Sequence, residues 1–303
     1  MGIPGLFKNC IQKYNNSNIY SNNSQNDSNG DSDVNGDSSS HNSKKIINTS
    51  IRKGVKNRLY LDFNCAVYYV LKPEMKSQDT LIIHTLAYLD TLCSMIDDLE
   101  LIYIALDGVP PRAKMEQQRS RRFHSVVKKR KAQKINEKYG NDLDKTNYNF
   151  EIDTNMITPG TEFMDRLSSE IKNHIATKKN YNNIKVIFSD SNCPGEGEHK
   201  ILDYIRDNPH GDECNSIIYG LDGDLIMLSL VSRQQNLYLL REAVQYGGYA
   251  KEFEGHKYLF LDIDNLILAL LDDFQSFMSY ELDMSLSNKY IDDYIVLCFV
   301  LGN

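Results

Sequence analysis

Leu101-Ile-Tyr-Ile-Ala-Leu-Asp107 is a short apolar run, rich in β-branched and aromatic residues, that ends on an acid. The same unit recurs as Arg58-Leu-Tyr-Leu-Asp62, Val186-Ile-Phe-Ser-Asp190 and Ile217-Ile-Tyr-Gly-Leu-Asp222. Each reads as a buried strand closed by a polar residue. Between them lie helical patterns, His84–Leu99 and Glu162–Ala176, the second with Thr158 as an expected cap and Pro159 as an expected first-turn proline. Strand–helix alternation of this kind predicts an α/β fold, a mostly parallel central sheet flanked by helices on both faces.

In open parallel sheets, functional groups gather just beyond the carboxyl ends of the strands. Asp62, Asp107 and Asp222 hold that position, joined by Glu196 and Glu198 in Pro194-Gly-Glu-Gly-Glu-His199 and by Asp224 two residues after Asp222. Six carboxylates in one crevice repel one another and resist desolvation unless cations sit among them. Hard oxygen donors select Mg²⁺ or Mn²⁺. Two such ions would activate a water and stabilise the leaving oxygen of an in-line phosphodiester displacement. The bland reading makes these acids helix caps and solvated loop residues, and for Asp190 it is the better one. Asp264 reads as a helix cap, Asp292 and Asp293 as helix-surface acids, and His199 as a structural histidine orienting the Glu pair.

The net charge of −7 conceals an asymmetry: Pro111 to Lys138 holds eleven Lys/Arg against two Glu, so −7 overall less +9 there leaves −16 elsewhere. A basic block against an acidic remainder suits a protein that grips a polyanion in one place and concentrates carboxylates in another. Lys114, Gln118, Arg121 and Arg122 share one helix face by their spacing, a face fit to hold a terminal phosphate. Lys128, Lys129, Arg130 and Lys131 read either as backbone-phosphate contacts or as a solvated face.

No stretch approaches the roughly 20 apolar residues of a membrane span. Met1-Gly-Ile-Pro4 lacks signal-peptide layout, and Leu6 excludes a myristoylation motif. Six cysteines without CxxC spacing read as reduced thiols in an intracellular protein, cytoplasmic ahead of nuclear. Residues 1–14 read as an ordered turn and helix. Residues at about 15–50, rich in Asn, Ser and Asp, read as a disordered insert.

The segments Met1–Phe7, LYLDFN (59–64), LDGVPPRAKMEQQRSRRF (106–123), ITPGTEFM (157–164), PGEGEHKILDYIR (194–206) and YGLDGDLIMLSL (219–230) together resemble the 5′→3′ exoribonuclease family, within the flap-endonuclease-like (PIN-like) superfamily. The resemblance implies a PIN-like nuclease fold with a basic helical arch. It implies one N-terminal catalytic domain over residues 1–303, interrupted by the insert, with the C-terminal remainder of the family domain absent. It implies metal binding by Asp62, Asp107, Glu196, Glu198, Asp222 and Asp224, and a 5′-monophosphate pocket from Lys114, Gln118, Arg121 and Arg122. Tyr68 stands where the family usually has a base-stacking histidine and keeps an aromatic face. The implied activity is processive degradation of single-stranded RNA carrying a 5′-monophosphate, releasing nucleoside 5′-monophosphates, with two Mg²⁺ or Mn²⁺ ions. The alternatives are a structure-specific DNA flap nuclease and a catalytically impaired RNA-binding fragment.

Overall fold

The computed structural model describes residues 10, 51–139, 152–243 and 257–301. The expected N-terminal helix, apart from Cys10, and the Asn/Ser-rich insert lie outside these residues. The described residues contain six β-strands and eight α-helices and group into two compact units: Lys56–Asn208, and Pro209–Asn303 with the residues before Lys56.

The first unit alternates as the sequence predicts. It runs β1 (Lys56–Asp62), α1 (Phe63–Val70), α2 (Gln78–Ser94), β2 (Leu99–Ala105), α3 (Arg112–Tyr139), α4 (Glu162–Thr177), β3 (Lys185–Ser189) and α5 (Gly197–Asp207). β2 pairs in parallel with β1 on one side and β3 on the other, setting Asp62 level with Ala105 and Ala105 level with Ser189. Leu59, Leu61, Ile102 and Ile104 are fully buried, which the near-continuous apolar runs require of a parallel sheet covered by helices. α5 packs on β1 and β2, where Tyr60, Tyr103 and Tyr204 form a ring cluster with centroids 4.7–6.3 Å apart. α2 packs against α1 and α4.

The start of α4 differs from the sequence reading. Its cap is Thr161, whose hydroxyl accepts from the Met164 amide at 3.4 Å; Thr158 and Pro159 belong to the preceding turn. Gly160 at φ +84° is the reason: a left-handed residue there breaks the chain direction, so the helix begins only after Thr161.

The second unit runs β4 (Cys214–Tyr219), α6 (Asp224–Ser232), β5 (Leu237–Glu242), β6 (Tyr258–Asp262), α7 (Ile263–Phe277) and α8 (Ser287–Val300). β4 and β5 are parallel, β5 and β6 antiparallel, so pairing among the described strands is mostly parallel. The cap of α7 is Asp262, accepting from the Asn265 amide at 3.0 Å, rather than Asp264. Asp264 instead accepts from the Asn236 amide at 2.7 Å. Asp292 lies on α8 and meets Arg233 at 2.6 Å, a helix-surface acid as expected, and Asp293 is exposed. No described helix is long and apolar enough to cross a membrane.

Candidate active site: carboxylates at the strand ends

Asp62 is the last residue of β1 and stands at the N-cap position of α1, yet its side chain does not cap that helix. One carboxylate oxygen instead accepts from Cys65 Sγ at 3.0 Å. Glu196 holds the same position before α5, again without a capping bond from its side chain. The helix-cap reading therefore fails for both acids. The loop-acid reading survives for Asp190, which takes Lys172 at 2.6 Å and the Asn192 amide at 3.1 Å and is held below the ordinary carboxylate pKa chiefly by that lysine.

Four acids of the first unit converge at the N-terminus of α5. The Gly197 amide donates to Asp107 Oδ1 at 2.8 Å, and a Cβ at Gly197 would stand 2.8 Å from Asp62 Oδ1. Glu196 and Glu198 flank that glycine, and carboxylate oxygens of both come within 4.8 Å of each other and of a His199 ring nitrogen. Asp62 and Glu198 are each 5% exposed. Burial pushes the Asp107 pKa up, the Glu196 charge adds to it, and the bonds from Gly197 and Asn64 pull the other way.

The loop geometry explains why Asp107 meets the Glu pair. Beyond the sheet, the Leu106 amide bonds the Ser189 carbonyl at 2.9 Å, Gly108 bonds Gly195 at 2.8 Å, and Gly195 bonds Val109 at 3.0 Å. The two loops thus continue the pairing past the strands and bring residues 107 and 196 together. No Cβ fits at Gly108, where it would sit 1.8 Å from the Cys193 carbonyl oxygen.

Two side chains that the sequence reading did not single out hold this arrangement. Asn64 donates to Asp107 Oδ2 at 2.8 Å and accepts from the Asp107 amide at 3.3 Å. Lys200, buried on α5, donates to the carbonyls of Leu106 at 2.8 Å and Asp190 at 3.0 Å, tying together the ends of β2 and β3; burial lowers its pKa. Both sit inside conspicuous segments, LDFN and PGEGEHK, but nothing in an Asn or Lys by itself says which backbone group it will meet.

The expected phosphate face lies on α3, a 28-residue helix. Lys114, Gln118 and Arg122 are half-buried along it, whereas Arg121 is exposed. Lys114 Nζ is 3.2 Å from Glu196 Oε1, and Arg122 bonds Gln118 at 3.5 Å. Tyr68 is half-exposed on α1; lost hydration and then the Asp107 charge raise its phenol pKa, while Arg122 and Arg121 act against them. Tyr68 therefore stands in electrostatic reach of both the acids and the cationic helix. Lys128, Arg130 and Lys131 are exposed farther along α3, and the Lys129 side chain lies outside the described set. His199, 55% exposed at its side chain, comes within 3.7 Å of Glu196 and 3.8 Å of Glu198.

In the second unit Asp222 is exposed, three residues beyond β4, and Asp224 is buried in the first turn of α6. The six cysteines are free.

Buried and half-buried carboxylates gather around one helix N-terminus, beside a cationic helix, in an arrangement compatible with divalent cations. The sequence profile of the XRN 5′-3′ exonuclease N-terminus matches residues 1–243, and the chain belongs to that family. It is 39% identical over 234 residues to 5′-3′ exoribonuclease 1 of Schizosaccharomyces pombe, covering 71% of this chain and 17% of that protein. It is 33% identical over 295 residues to 5′-3′ exoribonuclease 2 of Arabidopsis thaliana, covering 82% and 29%. It is 32% identical over 296 residues to the Gallus gallus 5′-3′ exoribonuclease 2, covering 82% and 31%. The chain thus spans less than a third of the length of each of these relatives. Among solved structures, human GEN1 in complex with Holliday junction DNA matches 82% of this chain and 45% of that one, with a TM-score of 0.38 at 13% identity.

Proposed function

We propose that the chain is a 5′→3′ exoribonuclease module that hydrolyses single-stranded RNA bearing a 5′-monophosphate and releases nucleoside 5′-monophosphates processively. The observation that carries this reading is the packing of Asp62, Asp107, Glu196 and Glu198 about the α5 N-terminus, with Lys114 of the cationic helix against Glu196. The exoribonuclease names of the relatives support RNA as substrate.

The donor set fits small divalent cations: it is carboxylate oxygen throughout, and burial, with the Glu196 charge beside it, raises the Asp107 pKa. Asp62, Asp107, Glu196 and Glu198 would hold such ions, and the family resemblance makes Asp222 and Asp224 ligands as well. Two Mg²⁺ or Mn²⁺ ions there would supply a hydroxide at neutral pH and stabilise the leaving oxygen. The chain's own residues do the rest. Asn64 fixes the Asp107 carboxylate, and Lys114, Gln118, Arg121 and Arg122 receive the terminal phosphate as point charge and fork donors. Tyr68, between the acids and those cations, stacks on the terminal base. Lys128, Lys129, Arg130 and Lys131 follow the backbone without reading sequence. A reducing cytoplasmic setting suits the free thiols.

The test is degradation of one RNA carrying a 5′-monophosphate, a 5′-triphosphate or a 5′-hydroxyl, with a DNA flap alongside. Mononucleotide release from the monophosphate end alone, abolished in Glu198→Ala and Asp222→Ala with RNA binding retained, is the expected result. Equal rates on all RNA ends would remove the phosphate pocket, and preferred cleavage of the flap would remove RNA as substrate.

A further inference from the structure

α3 has a second face that the expected phosphate set shares only in part. Beside it opens a cavity of about 550 Å³, within the roughly 300–1,000 Å³ typical of small-molecule sites. Its apolar walls are Val109 and Pro110 before the helix, Met115 on it, and Pro159 from the turn preceding α4. Its cations are Arg112, Arg119 and Arg122, with Glu116 also at the lining, 3.9 Å from Arg112.

Helix geometry separates this face from the expected phosphate face. At about 100° per residue, Lys114, Gln118, Arg121 and Arg122 centre roughly 125° away from the stripe of Arg112, Met115, Glu116 and Arg119. Gln118 and Arg122 border both; Lys114 and Arg121 do not line the cavity. Phe123, one turn past Arg119, continues the stripe and is 66% exposed. An exposed aromatic on a helix of mean hydropathy far below zero, next to a partly apolar hollow ringed by arginines, has the chemistry of a nucleotide: a flat apolar ring flanked by negative charge.

We propose that this cavity seats one base of the RNA strand, with the adjoining phosphates held by Arg112 and Arg119 and the neighbouring base stacked on Phe123. The proposal rests on RNA being the substrate. It adds a base seat on an adjoining flank of α3, sharing Gln118 and Arg122 with the terminal-phosphate set. Three arginines against one glutamate favour a strand segment carrying phosphate on both sides of the base over an uncharged ligand. Val109, Pro110, Met115 and Pro159 supply the apolar surface against which the base would lie.

The experiment is equilibrium binding of a 5′-phosphorylated oligouridylate, and of the same oligomer with one abasic ribose placed at each position in turn. It is done in chelator, where cleavage cannot proceed, and Mg²⁺-dependent cleavage is read separately on the same preparations. In the wild-type protein one internal abasic position is expected to weaken binding about tenfold. Met115→Trp, which fills the cavity, should weaken binding of the intact oligomer similarly and make that abasic position silent. Arg119→Gln, at an exposed helix position, should weaken binding and flatten its salt dependence without affecting folding, and Phe123→Ala should silence the adjacent position. An abasic response unchanged in Met115→Trp overturns the seat even if cleavage is normal. A response lost in Met115→Trp without any metal-dependent cleavage would keep the seat and overturn the nuclease reading. Absence of RNA binding overturns both.

Discussion

Lys114 Nζ lies 3.2 Å from Glu196 Oε1, with the two side chains 27% and 12% exposed. The residue expected to grip a phosphate is therefore paired with a carboxylate expected to hold a cation. The two proposed roles would be linked: a cation taken by Glu196 would compete with Lys114, leaving the ammonium available to the phosphate. Metal and phosphorylated RNA should then bind with positive coupling through this one pair.

That link predicts opposite effects from one substitution. Lys114→Met should raise Mg²⁺ affinity about fivefold, the ~1 kcal/mol scale of a largely covered but solvent-reachable ion pair. The same change should raise KM for 5′-phosphorylated RNA. Calorimetric metal titration and steady-state kinetics read the two effects separately. A parallel loss of both would mean that Lys114 merely supports the fold.

Two glycines make a contrasting pair. An Ala at Gly108 would drive its Cβ to 1.8 Å from a backbone carbonyl, so Gly108→Ala should lower stability by about 3 kcal/mol through forced backbone displacement. At Gly197 the nearest atom is Asp62 Oδ1 at 2.8 Å, the far end of a side chain, with the Ala105 carbonyl oxygen at 3.3 Å, so Ala there should cost the fold less than at Gly108. Displacing that carboxylate by even ~1 Å should still cost activity on the order of a hundredfold. Thermal melts and turnover rates are expected to rank the two variants in opposite order.

Asn64 is a positioning residue. It touches Asp107 at both the side chain and the amide, and it is 6% exposed. Asn64→Ala should weaken Mg²⁺ binding about tenfold, in the range seen when the partners of metal-holding carboxylates are removed. The loss should be partly recovered in excess metal. Activity that stays low at saturating Mg²⁺, with melting unchanged, would show that Asn64 does something other than aim Asp107.

The strand ends were legible in the sequence because a parallel strand buried on both faces must be apolar throughout and must become polar where it leaves the sheet. Asp62 falls at such an exit and Asp107 two residues past one, both beside the Gly197 that the Glu pair flanks. Helix starts were less legible. Thr158 and Thr161 are equally good caps on paper; the left-handed backbone at Gly160 decides between them. Asp262 and Asp264 likewise compete for one cap, and the end of β6 gives it to Asp262. Lys200 went unnoticed because its partners are carbonyl groups, which every residue possesses. The cavity beside α3 escaped because its far wall, Thr158 and Pro159, joins the helix only in three dimensions.

Asp262 supplies a pH signature in the second unit. It is 8% exposed, and burial lifts its pKa from 3.8 to about 6, the Asp264 charge adding to the lift while bonds from Asn265 oppose it. A folded-state pKa above the unfolded value means the native protein binds the extra proton between those limits. The associated stability is therefore complete below about pH 4 and is lost as pH rises through about 6. At ~1.4 kcal/mol per unit the loss amounts to roughly 3 kcal/mol. Asp262→Asn removes the ionisation while leaving an oxygen to accept from the Asn265 amide, and a flip of the Asn265 side chain presents an acceptor to the new NH₂ group. The variant should match the wild type near pH 4 and exceed it near pH 7, as measured by denaturant unfolding at fixed ionic strength. If the wild-type and variant curves run parallel across that interval, the Asp262 carboxyl is not the group that carries the proton.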